Sequence, residues 1–316
     1  MFKSESHSAK IAVMKILVPF SIVLVFFIPA VAQPCLNAAR EVAPVLSPET
    51  RATYEKKLEE ADTAHLDKPN AADSIIWLGR RMAYLGNYKK AVWIFSSGIK
   101  LHPNDAGLYR HRGHRYITLR CFDDAIRDLE KAASLIKGTP DEVELDGLLN
   151  ARKVPTSTLQ SNIWYHLGLA YYLKGDFASA LRAYDECEKV SKNPDTLVAT
   201  KHWQYMTLRR LGKKDEAEKA IENIPADLNI IENADYYTLI KLYRGKSSGG
   251  KLLRDFWSTA DTLSRASIGY GLGNRWLYHN RPDEAAKVFR QIVAGNQWAS
   301  FGYIAAETEL KRQMKP

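Results

Sequence analysis

The chain has 316 residues, 46% of them hydrophobic and 26% charged, with a formal net charge of +9. That balance excludes a globally disordered chain and supplies enough apolar material for a sizeable core. β-Branched runs are scarce beyond the first thirty residues, while Ala, Leu, Lys and Tyr recur throughout, so helix is the expected element.

Lys10 and Lys15 precede an apolar stretch, 16–32, that closes on Ala30, Val31 and Ala32. A basic start, an apolar run and a small-x-small end are the marks of a cleaved secretory signal, expected over residues 1–32, with a second possible start at Met14. The competing reading, an uncleaved anchor, meets Pro19 and Pro29 inside the run. Lipidation at Cys35 is disfavoured because Pro34 stands where a small residue is needed. The mature protein is therefore expected in the periplasm or outside the cell, with no stable membrane span. Loss of Lys3, Glu5, Lys10 and Lys15 leaves its charge near +7. Of the three cysteines, Cys35 falls in a tail, Cys121 in a predicted turn and Cys187 on a predicted helix. No Cys-x-x-Cys occurs, so neither a thioredoxin-type centre nor a zinc ribbon is indicated, and three unpaired thiols are expected.

Residues 33–70 read as a tail and a leading helix. Ser47 and Pro48 supply a capping hydroxyl and a first-turn proline, and the helix running to about Leu66 carries Leu58 and Ala61. From 71 to 294 a pattern repeats. Ile75, Leu78, Gly79 and Met82 are followed by Gly86, Tyr88, Ala91, Phe95 and Pro103. Tyr109, Arg112, Gly113 and Tyr116 lead to Phe122, Ala125 and Leu129; Trp164, Leu167, Gly168 and Tyr171 lead to Gly175, Phe177, Ala180 and Tyr184. A later copy reads Gly269, Leu272, Gly273 and Trp276, then Ala285 and Phe289. Each first half has the i, i+3, i+4, i+7 spacing of one helix face, and each second half restarts after a short turn. A mid-helix glycine costs about 1 kcal/mol relative to alanine, so four in register imply close approach of a neighbouring helix.

These residues resemble the tetratricopeptide repeat, a 34-residue helix-turn-helix unit. Ala91 and Ala125 lie 34 residues apart, Ala180 and Ala217 lie 37 apart, and Ala217 and Ala285 lie 68 apart, or two periods. The last interval predicts a degenerate hairpin over 233–243 and 251–263. The 55 residues from Ala125 to Ala180 predict an insertion at about 138–158. Arg112 and Tyr205 depart from the family pattern, at an apolar and a small position respectively. The resemblance implies an all-α fold, a right-handed α-solenoid of helix hairpins. An apolar face of Trp298, Phe301, Ile304, Ala305 and Leu310 predicts a C-terminal capping helix over 295–316, since the last repeat of a solenoid must be covered.

The resemblance also implies that ligands meet the first helix of each hairpin. By register those positions are Ile76, Arg80 and Tyr84, then Arg110, His114 and Ile117. Next come Tyr165, Leu169 and Tyr172, and finally Tyr270, Asn274 and Tyr278. The resulting surface is aromatic and cationic and lacks the lysine and asparagine clamp of the family's chaperone-tail binders. Between Arg80 and Arg120 stand nine Lys or Arg and one acid, Asp105. The insertion then brings Asp141, Glu142, Glu144 and Asp146, which could lie across the basic hairpins as a lid or a mimic of an acidic ligand.

Catalytic chemistry is thin. His111 and His114 share a helix face, but Arg110, Arg112 and Arg115 surround them and would repel a metal cation; neither metal nor cofactor is expected. The run from Gly245 to Leu252 fits G-x-S-x-G around Ser247 and G-x-x-x-x-G-K up to Lys251. It lacks the preceding strand, and Leu252 stands where a hydroxyl must bind magnesium. No nucleic-acid module is recognisable. The reading is a non-enzymatic exported scaffold that binds a partner protein or peptide, an acidic one being suggested by the basic stretch. The alternatives are an envelope component that uses its outer helix faces and a binder of anionic glycan.

Overall fold

A computed structural model describes Met1 and residues 34–314, apart from 146, 148, 149, 151, 248 and 259–261. The expected signal segment and its anchor alternative lie outside the described residues, as does Asp146. Among the described residues every regular element is a helix, and no helix is long and apolar enough to cross a membrane.

A short helix α1 (Pro34–Ala38) leads through an extended segment to α2 (Pro48–Asp67). Ser47 caps α2 by accepting the Thr50 amide, as its sequence position predicts. Six hairpins follow: α3 (Ala72–Tyr84) with α4 (Tyr88–Leu101), α5 (Ala106–Thr118) with α6 (Phe122–Leu135), and α7 (Leu159–Lys174) with α8 (Phe177–Val190). Then come α9 (Pro194–Arg210) with α10 (Lys214–Glu222), α11 (Ala234–Tyr243) with α12 (Gly249–Ser258), and α13 (Leu263–Tyr278) with α14 (Pro282–Val293). Helix α15 (Phe301–Gln313) closes the array. The degenerate hairpin is thus present as α11 and α12, and the insertion occupies the interval between α6 and α7. Gly245 opens the α11–α12 turn at φ +70°, and Gly249 to Leu252 begin α12.

The repeat glycines do what their spacing implies. A Cβ at Gly79, Gly113, Gly168 or Gly273 would lie within 3.0 Å of Phe95, Leu129, Tyr184 or Phe289 respectively. Each of these large residues stands four after the repeat alanine of the second helix, so the alanine and the large residue together seat one helix on the other. In the fourth hairpin Tyr205 takes the glycine position, and its ring stacks instead on Tyr243 of α11 at 4.3 Å. Arg112, at an apolar position of the pattern, gives Asp128 of α6 two bonds of 2.7 Å and Ser96 of α4 one of 3.0 Å. A buried ion pair of this geometry satisfies both partners, and removal of either would leave a buried charge.

Two features differ from expectation. Cys35 and Cys121 form a disulfide rather than standing as free thiols; Cys187 is free and buried. The bond holds the N-terminal segment along the hairpin turns. There Glu41 accepts the Lys89 amide at 2.7 Å, and Ala43 and Pro44 press on Gly86. Gly86 has φ +91° and no room for a Cβ, so the turn requires glycine twice over. Sequence distance conceals this pairing, because 86 residues separate the cysteines and only the stacked hairpins bring them together.

The second difference concerns α15. It covers α13 and α14 as a cap should, but it also reaches the inner side of earlier hairpins. Arg120, beyond α5, donates to Glu307 at 2.8 Å and to the Trp298 carbonyl at 2.9 Å, with its guanidinium 4.0 Å from the Trp298 ring centre. Arg210 of α9 pairs with the buried Glu309 at 2.7 Å. Arg312 donates to the Tyr172 and Leu173 carbonyls at the end of α7, the first of which also accepts the Gly175 amide. The expectation of an end cap alone is therefore incomplete: α15 crosses the concave side.

Candidate functional site

What α15 leaves of the concave side includes a cavity of about 320 Å³ among α3, α5, α7, α9, the insertion and Phe301. Arg110 and His114 stand one helical turn apart on α5 and share a face. Arg110 is 7% exposed, and its Nη2 lies 2.9 Å from Oε1 of Glu144. Nη1 lies 2.9 Å from Nδ1 of the buried His111, whose Nε2 is 3.7 Å from the same carboxylate oxygen. The Arg110 Nε and the Glu144 Oε2 are both buried and without a hydrogen-bond partner among the described residues.

Glu144 reaches Arg110 because the insertion is locally extended. The Glu144 amide donates to the Ser157 carbonyl at 3.2 Å and the Leu159 amide to the Glu142 carbonyl at 2.9 Å. Side chains alternate on such a segment. Val143 and Leu145 are accordingly 60% and 57% exposed, while Glu144 points inward. Backbone carbonyls of the insertion hold it further: Arg80 donates to Leu145 at 2.8 Å and Arg81 to Gly147 at 2.5 Å. Tyr84 abuts Gly147 so closely that no side chain would fit there.

The opposite wall is aromatic. His114 and His166 have ring centres 4.3 Å apart, and Phe301 of α15 lies 5.4 Å from the first and 5.6 Å from the second. Tyr165 is 6.1 Å from Phe301, and its hydroxyl is 3.4 Å from that of Tyr236. Burial first, and then the nearby arginines, hold His111, His114 and His166 well below the usual imidazole range, so all three are neutral at pH 7. His166 must carry its proton on Nδ1, which donates to the Asn162 carbonyl at 2.6 Å. Burial pushes the Cys187 thiol up to about 11, which makes it a poor nucleophile.

Residues 161–194, which hold α7, α8 and the step to α9, match the family model of the tetratricopeptide repeat. The α3–α4 and α13–α14 hairpins repeat its glycine, alanine and aromatic register. Residues 161–194 are a tetratricopeptide repeat. The crystal structure of YrrB, a TPR protein with an unusual peptide-binding site, is 14% identical to it; the match covers 80% of this chain and 99% of that one, with a TM-score of 0.44. A tetratricopeptide repeat protein from Parabacteroides merdae is 15% identical over 82% of this chain and 93% of that one, with a TM-score of 0.47. MamA is 18% identical over 55% of this chain and 82% of that one, with a TM-score of 0.42. No curated protein matches the chain.

The tetratricopeptide register divides the expected ligand residues into two groups. Arg80, Arg110, His114 and Tyr165 line the 320 Å³ cavity together with Glu144. Tyr172, Tyr270 and Asn274 do not face a ligand. They are at most 1% exposed and bond to one another, with Tyr270 Oη donating to Tyr172 Oη at 3.1 Å and Tyr172 Oη donating to Asn274 Oδ1 at 3.3 Å. Closure by α15 turns what would be the groove floor into core, and that expectation is corrected. Tyr84 contacts the insertion and the Tyr54 ring at 5.9 Å. Asp141 and Glu142 are exposed and lie away from Arg110, so of the acidic residues described only Glu144 reaches the cationic cluster.

Sequence reasoning missed His166 and Phe301. His166 adjoins a register position and could have been included. Phe301 was read only as part of a capping face.

Outside the cavity lies a cleft of about 830 Å³ between α3, α5 and the insertion. Ile76, Trp77, Val143 and Leu145 give it apolar walls, and Asp73, Asp105, Asp141 and Glu142 line it as well. Trp77 is held between guanidinium groups, Arg80 at 4.3 Å and Arg81 at 4.8 Å from its ring centre.

Proposed function

We propose that the chain is an exported, non-enzymatic scaffold that grips a partner protein or peptide at the 830 Å³ cleft between α3, α5 and the insertion. The observation that carries this reading is the chemistry of that cleft: exposed Val143 and Leu145 beside Trp77, with five carboxylates and the Arg80 guanidinium around them. Solenoids commonly bind through such concave surfaces. Apolar walls with an acidic surround suit an apolar segment that carries basic residues. The basic stretch favours an acidic partner less than its charge count suggests. Arg110, Arg112 and Arg120 pair with Glu144, Asp128 and Glu307, and Arg80 and Arg81 hold backbone carbonyls. Export is supported by the Cys35–Cys121 disulfide, a bond typical of oxidising compartments.

The test is capture of partners from an envelope extract by the chain from residue 33 onward, with Val143→Asp/Leu145→Asp and Trp93→Ala beside it. Trp93 is 68% exposed on α4, away from the cleft lining. Loss of the captured protein in the double variant, with retention in Trp93→Ala, supports the cleft. The reverse pattern supports assembly through outer helix faces. Binding through the cleft should also weaken as salt rises.

A further inference from the structure

The insertion beside the outer cleft is paired along one edge only. In an antiparallel pair the backbone groups of successive residues point to opposite sides. The Glu142 carbonyl accepts the Leu159 amide at 2.9 Å, and the Glu144 amide donates to the Ser157 carbonyl at 3.2 Å. Val143 and Leu145 therefore turn their amides and carbonyls the other way. Arg80 of α3 agrees with that direction, since it reaches the Leu145 carbonyl at 2.8 Å and lines the cleft. The Val143 amide, the Val143 carbonyl and the Leu145 amide have no hydrogen-bond partner among the described residues, and both residues are exposed. An open edge of this kind is a template for a further strand.

We propose that the partner enters the cleft as an extended strand that pairs with the open edge of residues 143–145, and that its segment alternates apolar with basic residues. This rests on the cleft reading and specifies how the cleft is used. A partner residue opposite Val143 exchanges both backbone bonds with it and shares its face. That residue should be apolar, because Ile76, Trp77 and Leu145 line the same space. Its neighbours turn to the face of Glu142, which is exposed and lines the cleft with the exposed Asp73 and Asp141. Lys or Arg there meets carboxylates, and opposite charges across strands are favourable. Arg80 is the cleft's only Lys or Arg among the described lining residues, and His111 is held neutral by its burial and the nearby arginines. A helical segment fits less well, because its amides are bonded within itself and would leave the edge open. Strand addition is a recurrent way for proteins to take up peptides.

The experiment selects binders from a phage-displayed library of random linear peptides on the purified chain from residue 33 onward, with Val143→Asp/Leu145→Asp as the counter-target. Enriched peptides are synthesised and measured by calorimetry. Each is also made with N-methyl groups on every second backbone amide, in one register or in the other. The expected peptides alternate apolar and basic residues. Methylation of the apolar register should weaken binding by about tenfold or more, as loss of the paired bonds requires, and methylation of the basic register by no more than about twofold. Val143→Pro removes the open donor and spares both bonds to 157–159, a place where a strand tolerates proline, and should weaken binding by a similar factor. Val143→Ile keeps the donor and should not. Peptides that need the cleft but ignore methylation in both registers would overturn the strand and leave the cleft reading intact. Enrichment of no peptide that the Asp variant loses would overturn both. A dimer in sedimentation that Val143→Pro abolishes would make the occupant a second copy of this chain, which also overturns the proposal.

Discussion

The packing of the repeat can be tested at Gly273. A Cβ there would fall within 3.0 Å of the Phe289 ring, which is fully buried and backed by Tyr270 at 5.7 Å. Overpacking a filled core costs about 1–3 kcal/mol. Alanine recovers up to about 1 kcal/mol of helix propensity over glycine, so Gly273→Ala should lose about 1 kcal/mol net and no more than about 2. Gly107→Ala is the control. Its Cβ would meet only side-chain ends, Asp105 Oδ1 and Ile76 Cδ1, each at 3.2 Å. There the propensity gain should dominate, leaving stability equal or slightly higher. Phe289→Leu removes the ring edge and costs stability alone, but it should relieve the clash. The Gly273→Ala/Phe289→Leu double variant should then be more stable than the sum of its parts by at least about 0.5 kcal/mol. Urea unfolding followed by far-ultraviolet circular dichroism reads all four variants against the unaltered protein. If Gly273→Ala matched Gly107→Ala in stability, glycine there would not be required by the neighbouring helix.

The disulfide predicts that peptide mapping without reduction will recover Cys35 linked to Cys121, with Cys187 alkylated only after denaturation. Reduction should lower stability by about 2–5 kcal/mol, the upper end being the loop-entropy value for a loop of this length; an unchanged urea midpoint in dithiothreitol would contradict it. Acid should also destabilise the fold. His166 and His202 are buried, and burial pushes His202 down from 6.5 to about 3. Below pH 6.5 the unfolded chain takes up protons that these folded imidazoles refuse, so their stability is fully present above that pH and declines as pH falls towards 3. His202 alone should make unfolding at pH 5.5 easier than at pH 7.5 by about 1.4 kcal/mol, and His111, His114 and His166 act in the same direction. Equal midpoints at the two pH values would show that these rings are not held neutral.

The fold was largely legible because a solenoid writes its packing into a period. Glycine, alanine and aromatic residues at fixed offsets predict which helix rests on which, and a missing period located the α11–α12 hairpin. Contacts between residues far apart in sequence left no such trace. Nothing near Cys121 predicts Cys35, and nothing in the face of α15 says that Glu307, Glu309 and Arg312 will meet Arg120, Arg210 and the end of α7. Period arithmetic counts residues along the chain, whereas those contacts depend on how far the array winds in space. The same winding converts Tyr172, Tyr270 and Asn274 from expected ligand contacts into core.

The insertion marks the boundary between these cases. Its charge count suggested an acidic cover over basic hairpins, with four acids treated alike. The segment Glu142, Val143, Glu144, Leu145 alternates charged and apolar residues, the period of an extended strand rather than of a shapeless loop. Read that way, every second residue shares a face, and acids on one face cannot all be accompanied inward by their apolar neighbours. The pairing with 157–159 sets which face is inner near Arg110, and there Glu144 is the acid that turns in. Val143 and Leu145 then face outward as a consequence of that same alternation. One local pattern thus supplies both the carboxylate of the inner cavity and the apolar wall of the outer cleft.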